Sequence, residues 1–174
     1  TNPDNTVQGQ VWYNETDNVL KFEYPNVSTD GSWATGGNMN TARRRLAGAG
    51  IDTAALAISG TADPPLYAQV ESYDGTSWTE TGDVNTAREE LAAAGTYTAA
   101  DAFGGKAGSA TGVTEMWNGS NWTETTDLNT ARQELTGDGA TNTASIAIGG
   151  APQRAVTELW NGSNWTETAD LNTA

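Results

Sequence analysis

The side chains able to perform chemistry in this chain of 174 residues are mainly carboxylates, because cysteine and histidine are both absent from it. Thiolate chemistry and disulfides are therefore excluded, as are Ser-His-Asp triads and histidine-ligated zinc. The 22 Asp and Glu residues leave paired carboxylates for glycoside hydrolysis and oxygen ligands for calcium. No spacing singles out one pair, and the calcium loop Asp-x-Asp-x-Asp-Gly is missing. We therefore predict a protein that is not an enzyme, with no catalytic residues, no metal ligands and no cofactor.

A glycine-rich stretch is the other segment that could bind a ligand. Residues 104–109 read GGKAGS, which is superficially similar to a phosphate-binding loop. The spacing Gly-x-x-x-x-Gly-Lys-Ser/Thr is not met, and no strand-to-helix pattern surrounds the stretch. We predict no phosphate site there.

The charge balance is strongly acidic. Eight Lys and Arg residues against 22 acids give a formal net charge of −14, which repels phosphate groups, so we expect neither nucleic acid nor an anionic membrane surface as a partner. No apolar run approaches the ~18 residues that span a bilayer, so no membrane insertion is predicted. The first four residues are neither basic nor apolar, and we expect no secretory signal in this chain.

Self-similarity is the dominant feature of the sequence. Four landmarks recur in the same order every 43 to 45 residues: an Asn-Thr-Ala-Arg segment, a pair of small residues, an acidic–x–aromatic–x–Gly unit and a tryptophan. The tetrapeptide begins at Asn40, Asn85 and Asn129, with a fourth start at Asn172; the tryptophans are Trp33, Trp78, Trp122 and Trp165; the small pairs are Ser59-Gly60, Gly104-Gly105 and Gly149-Gly150. Four landmarks in phase over three periods indicate a repeat protein.

Local signals within each repeat favour β-structure. Asp-Gly or Asn-Gly pairs at 74–75, 118–119 and 161–162 are strong hairpin turns, because both residues tolerate positive φ. Helix is the competing interpretation for residues 42–49 and 87–94, which are rich in Ala, Arg, Glu and Leu, but glycines interrupt it. The predicted strands are 46–49, 54–59, 68–73 and 78–81; 91–94, 99–103, 113–117 and 122–125; and 135–138, 144–148, 156–160 and 165–168. Four short strands every 40 to 50 residues or so indicate a propeller blade.

The order Arg, strand, Gly-Gly, acidic–x–aromatic, Gly turn and Trp resembles the kelch repeat, a four-stranded blade of a β-propeller. The resemblance covers residues 38–174 and departs from the pattern at Ser59-Gly60, at the third-strand tryptophans and in the five-residue spacing between aromatics. It implies an all-β propeller built from four-stranded blades, with three complete blades at about 40–84, 85–128 and 129–171. Residues 1–37 are expected to hold an N-terminal hairpin, at 10–13 and 19–24, and a partial blade that ends at 32–34.

Three kinds of repeated side chain should hold such blades together. The first strand of each blade should lie innermost, where small residues fit, and Trp78, Trp122 and Trp165 should be mostly buried between adjacent sheets. We expect each repeat arginine to tie blades together by pairing with an acid; a functional ring of arginines is the alternative. The predicted acids are Asp83, Asp127 and Asp170, or Glu80, Glu124 and Glu167. The predicted structural positions are Trp33, Trp78, Trp122 and Trp165; Arg43, Arg88 and Arg132; and Tyr73, Trp117 and Trp160.

The N-terminal segment suggests a biological setting. Residues 8–21, QGQVWYNETDNVLK, followed by Gly31-Ser32-Trp33, resemble a short hairpin common in bacteriophage tail and fibre proteins. Uniform repeats favour a scaffold or multivalent binding over catalysis, because a catalytic centre must break the symmetry. Together these features imply a non-catalytic structural or host-contact component of a virion, displayed on a fibre, tail or capsid. Its partners would be other copies of itself or other virion proteins.

The alternative is a secreted or cell-surface bacterial adhesion propeller that binds carbohydrate, with one weak site per blade. A host-surface glycan would then be the ligand, and the candidate contact aromatics are Tyr67, Tyr97 and Phe103. In either setting the blade edges should be covered, because an open edge exposes unpaired N–H and C=O groups. We expect further repeats of the same polypeptide to cover them, with another chain as the alternative.

Overall fold

The computed structural model describes residues 11–14, 19–22, 35–152 and 155–172, and the chain divides into two compact units, residues 1–35 and 36–174. In the first unit, β1 (Val11–Asn14) and β2 (Val19–Phe22) form an antiparallel pair with Val11 opposite Phe22. The predicted N-terminal hairpin is therefore present. The predicted strand at 32–34, and Trp33 with it, lies outside the described residues.

The second unit contains three four-stranded antiparallel sheets, each ordered from first to fourth strand as along the chain. The first sheet comprises β3 (Ala47–Ile51), β4 (Ala54–Ile58), β5 (Val70–Tyr73) and β6 (Trp78–Glu80). The second comprises β7 (Ala92–Thr96), β8 (Ala99–Phe103), β11 (Thr114–Trp117) and β12 (Trp122–Glu124), with a short pair, β9 (Lys106–Ala107) and β10 (Ser109–Ala110), in the connection after β8. The third comprises β13 (Thr136–Thr141), β14 (Ala144–Ile148), β15 (Thr157–Trp160) and β16 (Trp165–Glu167).

The sheet count differs from the predicted number of blades. Three four-stranded sheets stand where the sequence predicts three complete blades and a partial fourth, and before residue 36 the described residues form only the β1–β2 pair. The described residues contain no helix, so the helical interpretation of 42–49 and 87–94 is wrong. The first strand of each sheet begins one residue later, and ends two or three residues later, than predicted. Its pairing with the second strand continues up to a two-residue turn, as where Ile51 pairs with Ala54.

The turn before each tryptophan is closed by a side chain. The Asp74 carboxylate accepts hydrogen bonds from the Ser77 N–H (2.8 Å) and the Thr76 N–H (2.9 Å), and these bonds lower its pKa. Asn118 and Asn161 accept the same two bonds in the later repeats, at 2.9 Å each. Asp and Asn serve equally well here because each offers an oxygen to the backbone two and three residues ahead.

The first two sheets each have a forward face, which is turned toward the next sheet along the chain, and a rear face on the opposite side. The faces of the third sheet are named by equivalence of repeat positions. Cross-strand partners share a face, so the registers assign every residue. The forward faces carry Ala47, Leu56, Ile58 and Val70; then Ala92, Asp101, Phe103 and Thr114; then Ile146, Ile148, Thr157 and Leu159. The rear faces carry Gly48, Ala57, Glu71 and Tyr73; then Ala93, Ala102, Glu115 and Trp117; then Gly137, Ala147, Glu158 and Trp160.

The core lies between consecutive sheets, where a forward face meets the next rear face. One apolar cluster packs Leu56, Ile58 and Val70 of the first sheet against Trp117 and Trp122 of the second. The other cluster packs forward-face residues of the second sheet, such as Phe103, against Trp160 and Trp165 of the third. Both contacts use the same pair of faces, so the unit is a succession of equivalent sheet-to-sheet contacts.

The first strands β3, β7 and β13 lie side by side and enclose a gap of about 190 Å³ between Ala47, Ala92 and Thr136. Where a neighbouring sheet is close, the side chains of these strands must be small. A Cβ atom on Gly137 would lie 2.3 Å from the Phe103 ring. At Gly137 the second and third sheets therefore approach too closely for a larger side chain.

Candidate functional site

The polar centre of each sheet is a fully buried ion pair. In the second sheet Arg88 donates from Nη1 to Glu115 Oε1 at 2.5 Å, and both side chains have 0% exposure. The Glu115 carboxylate also accepts the Asn85 N–H at 2.6 Å and the Thr86 N–H at 3.2 Å. Arg88 Nη2 donates to the Ala102 carbonyl at 3.1 Å, while Nε is buried without a partner among the described residues. A buried carboxylate with this many donors is well compensated for its loss of water.

This arrangement, which we call the arginine clasp, occurs in all three sheets. The clasp residues are Asn40, Arg43 and Glu71; Asn85, Arg88 and Glu115; and Asn129, Arg132 and Glu158. The clasp asparagine also donates to the carbonyl of the fourth-strand tryptophan, as Asn129 does to Trp165 at 2.9 Å. One Asn-Thr-Ala-Arg segment thus contacts the second, third and fourth strands of its own sheet, which explains why this tetrapeptide recurs.

The predicted partners of the arginines are wrong. Neither Asp83, Asp127 and Asp170 nor Glu80, Glu124 and Glu167 pair with Arg43, Arg88 or Arg132; the partners are the third-strand glutamates of the same repeat. Glu80, Glu124 and Glu167 are exposed, although Glu124 lies directly opposite Glu115 across the β11–β12 pair. An exposed carboxylate is already solvated by water and gains little from pairing with a buried guanidinium. Glu115 lies on the buried rear face together with Trp117, so it needs a cation as partner.

The arginine backbone, rather than its side chain, connects neighbouring sheets. The Arg88 carbonyl accepts the Gly60 N–H of the preceding sheet at 2.9 Å, and the Arg132 carbonyl accepts the Gly105 N–H at the same distance. Glu90, two residues after Arg88, forms a second hydrogen bond between the same two sheets. Its N–H donates to the Arg45 carbonyl at 2.9 Å. Arg45 and Glu90 have φ of 55° and 58°, a conformation that costs energy outside glycine. The links recur at both contacts and offset that cost.

The tryptophans form pairs within each sheet, and only two of the three fourth-strand rings are buried. Trp122 and Trp165 are 6% and 4% exposed, and their centroids lie 5.4 Å from those of Trp117 and Trp160. Trp78 pairs with Tyr73 at 5.0 Å but is only half-buried. Trp78 is thus less buried than its equivalents Trp122 and Trp165. It lies on the rear face of the first sheet, on which no other sheet of residues 36–152 and 155–172 packs.

The two sheet-to-sheet contacts differ at one indole. Trp165 Nε1 donates to the Thr114 hydroxyl of the preceding sheet at 3.0 Å. The residue equivalent to Thr114 in the first sheet is Val70, because each pairs with the last residue of the second strand. Trp122 Nε1 is accordingly buried without a hydrogen-bond partner among the described residues. The second contact is thus the better satisfied one at this position.

A buried acid breaks the apolar pattern between the second and third sheets. Asp101 occupies the position of Leu56 and Ile146, and its Oδ2 accepts the Ser145 hydroxyl at 2.7 Å. Burial raises the pKa of Asp101 to about 6, against the opposing effect of the Ser145 bond. Comparing repeats would have found it, because an acid stands where the other two copies have Leu and Ile.

The candidate ligand-contact aromatics are not brought together. Phe103 is fully buried against Trp165, with centroids 4.9 Å apart, so the prediction that it contacts a ligand is wrong. Tyr67 is half-buried in the loop between the second and third strands. Tyr97 is 41% exposed in the turn between the first and second strands, which is the opposite end of an antiparallel sheet.

Tyr97 borders a groove between two hairpin turns. The groove measures about 450 Å³ and lies between the β3–β4 and β7–β8 turns, where Gly50, Ile51, Thr96 and Thr98 are its other main residues. Ile51 is 64% exposed. An exposed aromatic ring beside an aliphatic side chain and two hydroxyls is a surface on which a sugar ring could stack.

The described residues show no group of three or more acids arranged to hold a metal ion. In that same part of the chain no helix could cross a membrane.

Compared with known proteins, the sequence matches no family model and no curated protein sequence.

Proposed function

We propose that the three sheets are consecutive blades of a kelch-like β-propeller. The recurrence of one buried arginine clasp, with the same partners in three consecutive sheets, is the observation that carries this proposal. The strand order and the repeated forward-to-rear contact between sheets add support, since a propeller is built from blades that each contact the next in the same way. The resemblance to the kelch repeat supplies the particular type of blade.

Cryo-electron microscopy of the purified protein tests the architecture. We expect class averages with the sheets arranged radially around an axis, with β3, β7 and β13 innermost. A straight stack of parallel sheets would contradict the propeller.

We further propose that the protein is a non-catalytic structural or host-contact component of a bacteriophage particle. The uniformity of the three sheets supports a scaffold, because a catalytic centre must break the symmetry of the repeats. The N-terminal segment that resembles hairpins of phage tail and fibre proteins supports the virion setting. Other copies of the chain or other virion proteins would be the partners.

Mass spectrometry of particles from the source, purified on a density gradient, tests the virion role. We expect peptides of this chain to follow the infectious particles across the gradient in constant proportion. Peptides found only with the cell envelope or the medium would contradict it and would favour the second candidate.

The second candidate is a secreted or cell-surface bacterial propeller that binds carbohydrate, and the groove beside Tyr97 favours it. A glycan array probed with the whole protein should then give hits that Tyr97→Ala removes. Tyr97→Phe keeps the ring and should retain them. An array without hits at high protein concentration would reject this candidate.

A further inference from the structure

The turns that precede the fourth strands of the second and third sheets each begin with an asparagine followed by glycine. Asn118 precedes Gly119 and Asn161 precedes Gly162, and both asparagines are exposed. A side-chain amide therefore lies next to the backbone nitrogen of a glycine, which is the least hindered backbone nitrogen because glycine has no Cβ. An amide carbon and a backbone nitrogen in this relation can close a five-membered imide ring.

The carbonyl oxygen of each side-chain amide is held by two backbone donors. Asn118 Oδ1 accepts the Ser120 N–H and the Asn121 N–H, both at 2.9 Å, and Asn161 has the same two bonds in its own turn. When a nitrogen adds to the amide carbon, negative charge develops on this oxygen. Two N–H groups already directed at the oxygen stabilise that charge, as they do in an oxyanion hole.

The nucleophile and the leaving group of such a reaction are both unrestrained. The N–H groups of Gly119 and Gly162 donate to no described residue, so each can lose its proton to solvent. The Nδ2 groups of Asn118 and Asn161 likewise have no hydrogen-bond acceptor in the described part of the chain, since only Oδ1 of each side chain is bonded. By contrast, Nδ2 of the clasp residue Asn85 donates to the clasp carboxylate at 2.7 Å.

The first sheet shows that this turn also holds a carboxylate. Asp74 occupies the position of Asn118 and Asn161, and it accepts the Ser77 N–H at 2.8 Å and the Thr76 N–H at 2.9 Å. An aspartate formed at either asparagine could accept the same two bonds, strengthened by its charge. The turn therefore suits the product of deamidation as well as the starting residue.

We infer that Asn118 and Asn161 are modification sites, which convert to aspartate in the folded protein without an enzyme. The Gly119 nitrogen loses its proton and forms a bond to Asn118 Cγ, while the Cγ–Nδ2 bond breaks and the amide nitrogen leaves as ammonia with that proton. Water then opens the imide at the new bond, which restores the backbone and leaves a carboxylate. This inference depends on neither the propeller architecture nor the virion role.

Peptide mass spectrometry of the folded protein, stored at mildly alkaline pH, tests the inference. We expect the mass change from amide to acid to accumulate at Asn118 and Asn161. It should appear there at least about tenfold faster than at Asn121 and Asn164, which precede tryptophan and whose Oδ1 atoms accept no such pair of bonds. Fragment ions assign the change to one residue. Circular dichroism during storage verifies that the protein stays folded.

Two variants act as controls. Asn118→Gln keeps an amide but would need a larger ring, so it should stop the reaction at that position and leave the rate at Asn161 unchanged. Asn118→Asp reproduces the product, and its denaturation midpoint should equal that of the wild type. Isoaspartate at either site, labelled by an isoaspartyl methyltransferase, would confirm the imide, because opening at its other carbonyl gives that isomer.

Three results would overturn the inference. The first is that both asparagines stay intact in the folded protein while the same chain unfolded in urea deamidates, which would show that the turn protects them. The second is an equal rate at Asn118 and Asn121. The third is a lowered denaturation midpoint for Asn118→Asp, which would show that the turn does not accept the product.

Discussion

Each clasp buries one carboxylate and one guanidinium, and the donors around the carboxylate make that burial tolerable. Glu115 receives backbone and side-chain donors from Asn85 as well as the Arg88 bond. Such a pair is a poor source of net stability but is costly to break on one side, because the remaining charge has no access to water. The clasp therefore fixes the position of the Asn-Thr-Ala-Arg segment against its own sheet.

Glu115→Gln should lower the free energy of unfolding by about 3–5 kcal/mol, because it leaves the Arg88 charge buried and unpaired. Urea denaturation followed by tryptophan fluorescence gives the value. Glu124→Gln, directly opposite on β12 and exposed, is the control and should change stability by no more than about 0.5 kcal/mol. Equal effects of the two substitutions would show that the clasp is dispensable.

Thr114→Val should cost about 1–3 kcal/mol, because it leaves the buried Trp165 indole N–H without an acceptor. The reciprocal change, Val70→Thr, offers the missing acceptor to Trp122 and should be close to neutral. Thermal and urea unfolding of the two variants, compared with the wild type, make the test. A loss of stability that is as large for Val70→Thr as for Thr114→Val would argue against the repeat equivalence of these positions.

At the scale of the element, a single atom decides how closely two sheets approach. Gly137 on β13 faces the Phe103 ring, while the equivalent Gly48 on β3 faces the open groove, where an added Cβ would have only an ordinary contact at 3.6 Å with the Leu56 carbonyl. In the second sheet Ala93 occupies the equivalent position and faces the first sheet. The first sheet carries Ile58 where the second sheet has Phe103. The size of the residue on a first strand thus depends on the size of the side chain that faces it from the neighbouring sheet: glycine faces Phe103, and alanine faces the smaller Ile58.

Gly137→Ala should destabilise the protein by about 1–3 kcal/mol through overpacking against Phe103. Gly48→Ala, the same chemical change on the open face, should leave stability almost unchanged. Denaturant midpoints of the two variants decide the question. If Gly137→Ala proves harmless, the second and third sheets are not packed as closely as described.

Asp101 should make the contact between the second and third sheets sensitive to pH. Its pKa is raised from 3.8 to about 6 in the folded protein, so the folded state binds the proton more tightly than the unfolded state. Its favourable contribution is fully present below pH about 4 and is lost as pH rises through about 6. The free energy of unfolding, relative to the Asp101→Asn variant, should fall by up to about 3 kcal/mol over this window. A difference that does not vary with pH would contradict the buried location of this carboxylate.

The sequence predicts the strands well because its signals are local. Turn pairs such as Asn118-Gly119 fix the hairpins, and the second strands end within one residue of their predicted bounds. The partners of the arginines were predicted wrongly, although one signal was available: Glu115 alternates onto the same face as Trp117, so it had to be buried and needed a cation. The half-buried state of Trp78 and the burial of Phe103 depend on which sheet lies in front of each ring. That information resides in contacts between repeats and not in the pattern of one repeat.

At the scale of the whole molecule, the middle sheet differs from its neighbours because it is the one with a sheet on both faces among residues 36–152 and 155–172. Repeat arrays gain stability from nearest-neighbour contacts, so members with fewer contacts open more readily. The first and third sheets should therefore lose structure before the second.

Hydrogen exchange followed by mass spectrometry should show slower exchange in β7 and β8 than in β3, β4, β13 and β14. Uniform exchange would indicate that all three sheets open together as one unit.

The arginine clasp has a consequence for how such a chain can change in evolution. Its side-chain bonds all close within one repeat, and the backbone hydrogen bonds between sheets use groups that every repeat supplies. Side-chain links between sheets, such as those of Trp165 with Thr114 and of Ser145 with Asp101, are additions specific to one contact. Unequal recombination that adds or removes a whole repeat therefore leaves every clasp complete. The sheets on either side then pack through the same pair of faces as before. A deletion of half a repeat would instead strand a guanidinium in the core. Gain and loss of sheets should consequently occur in steps of about 44 residues, which is the length of one tandem repeat in the sequence.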